Sequence, residues 1–165
     1  MRWALPFLVS AVLLACGEPA PAGPGLTQAE ALRLALRADD QRRLAFAEAR
    51  AGPLGDYFSG PALAGAQRRV DSLAQRGQRL EERPRLRCLV HWRADGSPEV
   101  VLEVRGERRL AAPRQPDPPW ASFVRQWWLR LGLVGGRWLV TADLELPPDR
   151  WWPAGESCAA GPGML

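Results

Sequence analysis

The hydrophobic period of the chain changes near its middle. Before Pro84 apolar side chains recur every three or four positions, as on one face of a helix; after it they recur every second position, as on one face of a strand. Thr27 and Glu30 carry the signature of a capping box, a hydroxyl at the N-cap and a carboxylate three residues on. Leu32, Ala35 and Leu36 continue from it with helical spacing. Asp39-Asp40 is expected to break this helix or to cap a second one, whose weak apolar face is Leu44, Ala47 and Ala51 and which Gly52-Pro53 stops. Tyr57 and Phe58 read as anchors at a turn. Pro61 then suits the first turn of a further helix with Ala62, Ala66, Val70, Leu73 and Leu80 on its apolar side and Gly77 weakening its end.

The second half predicts antiparallel strands. Leu86, Cys88, Val90 and Trp92 alternate with Arg87, Leu89, His91 and Arg93, and Ala94-Asp95-Gly96-Ser97 is a hairpin-type turn. Val100, Leu102 and Val104 follow in alternation with Val101, Glu103 and Arg105. The stretch Ala111–Pro119 is too rich in proline for a central strand. Phe123, Arg125, Trp127, Leu129 and Leu131 share one face of a third strand, with Val124, Trp128 and Val134 on the other. Gly135-Gly136 signals a tight turn. Trp138, Val140, Ala142, Leu144 and Leu146 are expected on the inner face of the last strand, which leaves Asp143 facing solvent. Residues 149–165 read as an irregular tail with Trp151-Trp152 as its docking point.

The N-terminus bears on location. A single positive charge at Arg2 precedes a mostly apolar run, Ala4 to Ala15, broken by Pro6. The run falls short of the roughly 20 residues that span a bilayer and has the form of a secretory signal. It ends Leu13-Leu14-Ala15-Cys16, which resembles the lipobox of bacterial lipoproteins, in which the cysteine is lipidated and becomes the new N-terminus. That resemblance implies a signal peptide over 1–15 and a lipid anchor on Cys16. Gly17 stands where an aspartate would retain some such proteins in the inner membrane. Residues 16–25, rich in Pro, Gly and Ala, read as a short tether. The expected location is extracytoplasmic, at the cell membrane or outer membrane.

Beyond the tether about 140 residues remain, enough for one domain. The hydrophobic fraction of 47% argues against disorder. The formal charge is +4, every basic residue is arginine, and acidic residues are mixed among them. With no clustered basic stripe, a nucleic-acid partner is not expected. If lipid takes Cys16, Cys88 and Cys158 remain, in a compartment where disulfides persist. They form a candidate disulfide; the alternative is two separate thiols, Cys88 being buried as a small hydrophobe. There is no CxxC and no Cys/His cluster, so neither a metal site nor a cofactor is expected.

The order of helices followed by at least four antiparallel strands fits an α+β domain over 26–148. The segments Tyr57-Phe58-Ser59-Gly60-Pro61-Ala62-Leu63 and Gly135-Gly136-Arg137-Trp138-Leu139-Val140 resemble the NTF2-like superfamily. The resemblance implies a cone of N-terminal helices packed on a curved antiparallel sheet, often with a pocket at its open end. A plain α+β sandwich is the alternative. Enzymes of that superfamily use an Asp or His base with a Tyr or acid beside it, which would draw on His91, Asp143 and Tyr57, but no motif brings these together. Each also has a plain role: His91 on an exposed strand face, Asp143 in solvent, Tyr57 in packing. Seven tryptophans follow the signal. Trp92 and Trp138 are expected on the inner face, as core or pocket wall. Trp127, with Trp151 and Trp152, is a candidate contact, and Trp120 a candidate rim. The expected function is a non-catalytic envelope lipoprotein whose domain binds a partner protein or a small apolar ligand. The alternatives are an isomerase- or hydrolase-type enzyme and a scaffold with a filled interior.

Overall fold

The computed structural model describes residues 25–153. The signal over 1–15, most of the tether, Cys16 and Cys158 lie outside them. Helix α1 covers Gln28–Glu48. Its capping box is complete: Thr27 Oγ1 accepts from the Glu30 N–H at 3.3 Å, and Glu30 Oε2 accepts from the Thr27 N–H at 2.9 Å. The expected break at Asp39-Asp40 does not occur. Both carboxylates are held by arginines on α1 and on the sheet, so neither turns back to cap the backbone. The expected second helix is the C-terminal half of α1. The helix closes at Ala49, which takes a left-handed conformation (φ 51°).

A short 3-10 turn, Gly52–Asp56, leads to α2, Gly60–Gln75. Between them Phe58 pairs with the sheet as a one-residue parallel bridge: the Ser59 N–H donates to Val140 O and the Val140 N–H to Tyr57 O, both at 2.9 Å. Gly77, at φ +62°, ends α2 in a Schellman arrangement, with Gln78 N–H bonded to Leu73 O and Gly77 N–H to Ala74 O. Leu80 therefore lies beyond the helix, in the first strand.

Strands β1 (Arg79–Arg93), β2 (Glu99–Ala111), β3 (Ala121–Val134) and β4 (Arg137–Leu146) form one antiparallel sheet in chain order. The helices pack on one face of this curved sheet, which makes the domain α+β. The inner face of β3 is as the alternation predicts: Phe123, Arg125, Trp127, Leu129 and Leu131 point at the helices and are all buried. Strict alternation fails on β1 and β4, where register shifts lie between Pro84 and Leu86, between Leu89 and His91, and opposite Arg130 and Leu131. A bulge inserts one residue and turns the following side chains to the other face. Trp92 is therefore inner, opposite Val100, while Cys88 is outer, opposite Glu103. On β4, Trp138 and Val140 are inner as expected, but Leu144 and Leu146 sit with Trp128 and Gln126 on the outer face. Asp143 moves to the inner face, opposite Leu129, which corrects its expected solvent position.

The core lies between α1, α2 and the inner face. Ala31, Ala35, Ala38 and Ala45 give α1 a buried stripe of small side chains, so its backbone approaches the large sheet residues Trp127, Leu102 and Leu129. Gly106 sits on β2 opposite the β1 bulge, and a Cβ there would stand 2.2 Å from the Arg83 carbonyl oxygen. Gly106→Ala is expected to lower stability by about 1–3 kcal/mol through backbone overpacking. Gly65→Ala in α2, whose Cβ meets nothing closer than 3.9 Å, should raise it by about 0.5–1 kcal/mol through helix propensity. Urea midpoints of the two variants check this contrast, and movement in the same direction would contradict it.

Candidate functional site

The interior between α1 and the sheet is closed by charge. Arg125, on the inner face of β3, donates to Asp39 Oδ1 at 2.7 Å and to Glu82 Oε1 at 2.6 Å. Arg42, one turn along α1 from Asp39, donates to Asp39 Oδ1 at 3.2 Å and stands 3.5 Å from Glu82 Oε2. All four side chains are at most 4% exposed. The Arg42 guanidinium also lies 4.8 Å from the ring centroid of Trp127 and 5.2 Å from that of Phe46, contacts that favour a desolvated cation. At the rim Arg43 binds both Asp39 and Asp40, and Arg87 reaches Asp40 at 2.6 Å.

The ionisation of this cluster follows from its geometry. Burial alone would raise the Asp39 pKa, but the charges of Arg42, Arg125 and Arg43 outweigh it and hold the carboxyl below its ordinary value. Burial also lowers the Arg42 pKa, helped by the neighbouring Arg125 charge; on Arg125 the pull of Glu82 and Asp39 overcomes burial and raises it. Arginine starts so high that both stay protonated. Asp39 is thus an ionised acceptor whose two oxygens are already taken by guanidinium groups. A general base needs a pKa near the working pH and a lone pair free for substrate, and Asp39 offers neither.

A groove of about 440 Å³ opens at the start of α1. Leu26, Leu34, Tyr57 and Trp138 give it apolar walls, and Arg33, Arg37 and Arg137 stand around it with Asp56 and Glu30. The parallel bridge at Phe58 carries Tyr57 to the β4 edge, close to Trp138. Glu30 is committed to the helix cap, and Arg137 donates to the Asp56 carbonyl at 3.0 Å. Arg33 and Arg37 are exposed, one turn apart on α1, and form no ion pair among the described residues.

The residues singled out from sequence do not gather in one place. Tyr57 and Trp138 meet in this groove. Trp120 lines a separate groove with Asp40, Arg43 and Glu82, and the Arg83 and Arg109 guanidiniums stand 3.9 and 4.7 Å from its ring centroid. Trp92 packs, partly buried, against the core. Trp127 is 1% exposed, which corrects its expected role as a contact; its indole N–H donates to Asp143 at 3.1 Å. His91 lies on the outer face, stacked on Trp152 with ring centroids 3.8 Å apart. Trp152 is also held by Gln126, which accepts from its backbone N–H at 2.7 Å and donates to its carbonyl at 2.8 Å. The buried cluster and the groove arginines carried no motif. Arg125 did stand on a strand face otherwise made of Phe, Trp and Leu, and a charge there demands a partner.

No family model matches the chain, and none of the curated proteins does. Among solved structures, the intermembrane space region of chloroplast protein ARC6 is similar, with a TM-score of 0.66 and 17% identity over 74% of this chain and 98% of that one. At that identity the likeness is one of fold. No described helix is long and apolar enough to cross a membrane.

The cluster has a pH signature. The folded-state pKa of Asp39 is depressed, so its contribution is present above the unfolded value of about 3.9 and is lost as pH falls through the lower folded value. Asp39→Asn is expected to cost about 3–5 kcal/mol near neutral pH, because it leaves buried guanidinium charge without its counter-ion. Below about pH 3 the gap to the parent protein should narrow. Urea unfolding across this range measures it, and a pH-independent gap would contradict it.

Proposed function

We propose that the chain is a membrane-anchored envelope lipoprotein, lipidated at Cys16. In this reading its NTF2-like domain is a non-catalytic binding module for a partner protein or a small apolar ligand. The observation that carries the binding role is the meeting of Tyr57 and Trp138 in an open, arginine-rimmed groove, apart from an interior that holds a buried ion cluster. Aromatic walls with a few polar groups at the rim suit an apolar occupant bearing anionic groups. Support for a non-catalytic role comes from the separation of the acid–base candidates. His91 is on the outer face, Asp143 is bonded to Trp127 on the inner face, and Tyr57 is in the groove. The helices-then-strands order supports the NTF2-like reading.

The tail supports the Cys88–Cys158 pairing. Gln126 fixes Trp152 on the outer face, the face that also carries Cys88. The segment from Trp152 to Cys158 can extend about 20 Å, a reach that is compatible with this pairing.

Acyl labelling in cells and a groove probe test the two halves of the proposal. Labelled fatty acid is expected on the parent chain and lost in Cys16→Ser, together with membrane retention. Anilinonaphthalene sulfonate, an anionic aromatic probe, is expected to bind one site, with affinity falling about tenfold or more in Trp138→Ala, as for a lost aromatic contact. Unchanged retention in the first variant removes the anchor, and unchanged probe binding in the second removes the groove.

A further inference from the structure

The end of the domain where the tether enters carries two features that the groove alone does not explain. First, the β3–β4 hairpin projects Leu133 and Val134, 47% and 44% exposed, at its tip. Leu133 pairs with Trp138 and Val134 with Arg137, so the tip adjoins the groove. Large apolar side chains at a hairpin tip gain little from water. Second, Arg33, Arg37 and Arg137 line the adjoining groove, together with Glu30 and Asp56. Arg33 and Arg37 lie on one side of α1, a turn apart, without an ion pair among the described residues. Exposed apolar side chains beside a groove with three cations and two acids match an anionic lipid surface, with chains at the headgroup boundary and guanidiniums on phosphates.

The position of the tether selects the occupant. Leu26, which lines the groove, immediately follows the tether's last residue, Gly25. A ten-residue tether from Cys16 reaches at most about 33–36 Å, so this end of the domain stays within reach of the anchored cysteine. The other arginine group, Arg68 and Arg69 on α2 and Arg76 at its C-cap, lies beside Phe46 near the far end of α1, along a helix about 31 Å long. It has a comparable number of cations, and Leu110, 44% exposed, stands opposite Leu80 beside it, but the chain does not enter the domain there.

We propose that the hairpin tip Leu133-Val134, with Arg33, Arg37 and Arg137, rests on an anionic phospholipid surface and turns the groove toward the membrane. This rests on the lipid-anchor reading for its geometry, and the vesicle contact can be tested without the anchor. The chain from residue 16 onward with Cys16→Ser contains every element of the described fold. Its binding is measured by co-sedimentation with vesicles rich in phosphatidylglycerol and with vesicles of phosphatidylcholine alone. Binding is expected to the first and to fall with added salt. Arg33→Glu with Arg37→Glu should lower it roughly 30-fold or more, at about one surface arginine's attraction each and further repulsion. Leu133→Ser with Val134→Ser should weaken it at unchanged charge. Arg68→Glu with Arg69→Glu alters net charge equally and should change binding less than threefold, being away from the surface. Unfolding midpoints confirm that each variant is folded. No preference for phosphatidylglycerol, or an equal loss from the α2 reversal, overturns the proposal. An acylated Cys16 with no vesicle binding removes the surface contact and keeps the anchor; vesicle binding with unacylated Cys16 keeps the contact and removes the anchor.

Discussion

Arg125 leaves the middle of β3 on the face that packs against α1, where water cannot solvate it. Its two bonds fix the arrangement around it: Asp39 must stand on α1 at one height and Glu82 on β1 at another. Arg42 then balances the second carboxylate and lies over Trp127. A slip of α1 by one turn would leave at least one of these charges buried and alone, at a cost of several kcal/mol. The alanine stripe brings the helix close, but small side chains alone would tolerate many positions. We regard the ion cluster as what selects one.

The same cluster explains which parts of the fold were legible in sequence. The inner face of β3 followed from alternation because no bulge interrupts it before Leu131. The capping box at Thr27 was legible because it is local, made by residues three apart. Asp39-Asp40 misled because aspartates favour caps and turns when their side chains are free to bond the local backbone. Here their partners include Arg87 and Arg125, which are remote in sequence. The face of β1 between its two bulges, and that of β4 beyond its bulge, were misread, since a single inserted residue has no signature in a period-two pattern. Asp143 is the clearest case: strict alternation puts it in solvent, whereas the register shift aims it at the Trp127 indole.

The candidate site was legible only as types of residue. Tyr57 and Trp138 were visible as aromatic anchors, but their meeting depends on the Phe58 bridge, a contact between distant segments. The arginines around them were indistinguishable from solvated helix residues until their position around the groove beside the β3–β4 hairpin was known. A buried ion cluster between α1 and the sheet and an open groove with three arginines at the start of α1 belong to one arrangement of the same helix.

The central claim is that Asp39 and Arg125 act as a unit that seats α1 on the sheet. A double-mutant cycle with Asp39→Asn, Arg125→Gln and both together, followed by urea unfolding near neutral pH, tests it most directly. The account predicts that the double variant loses less than the sum of the singles, with a coupling of about 1–3 kcal/mol. Losses that add to within about 0.5 kcal/mol would contradict it.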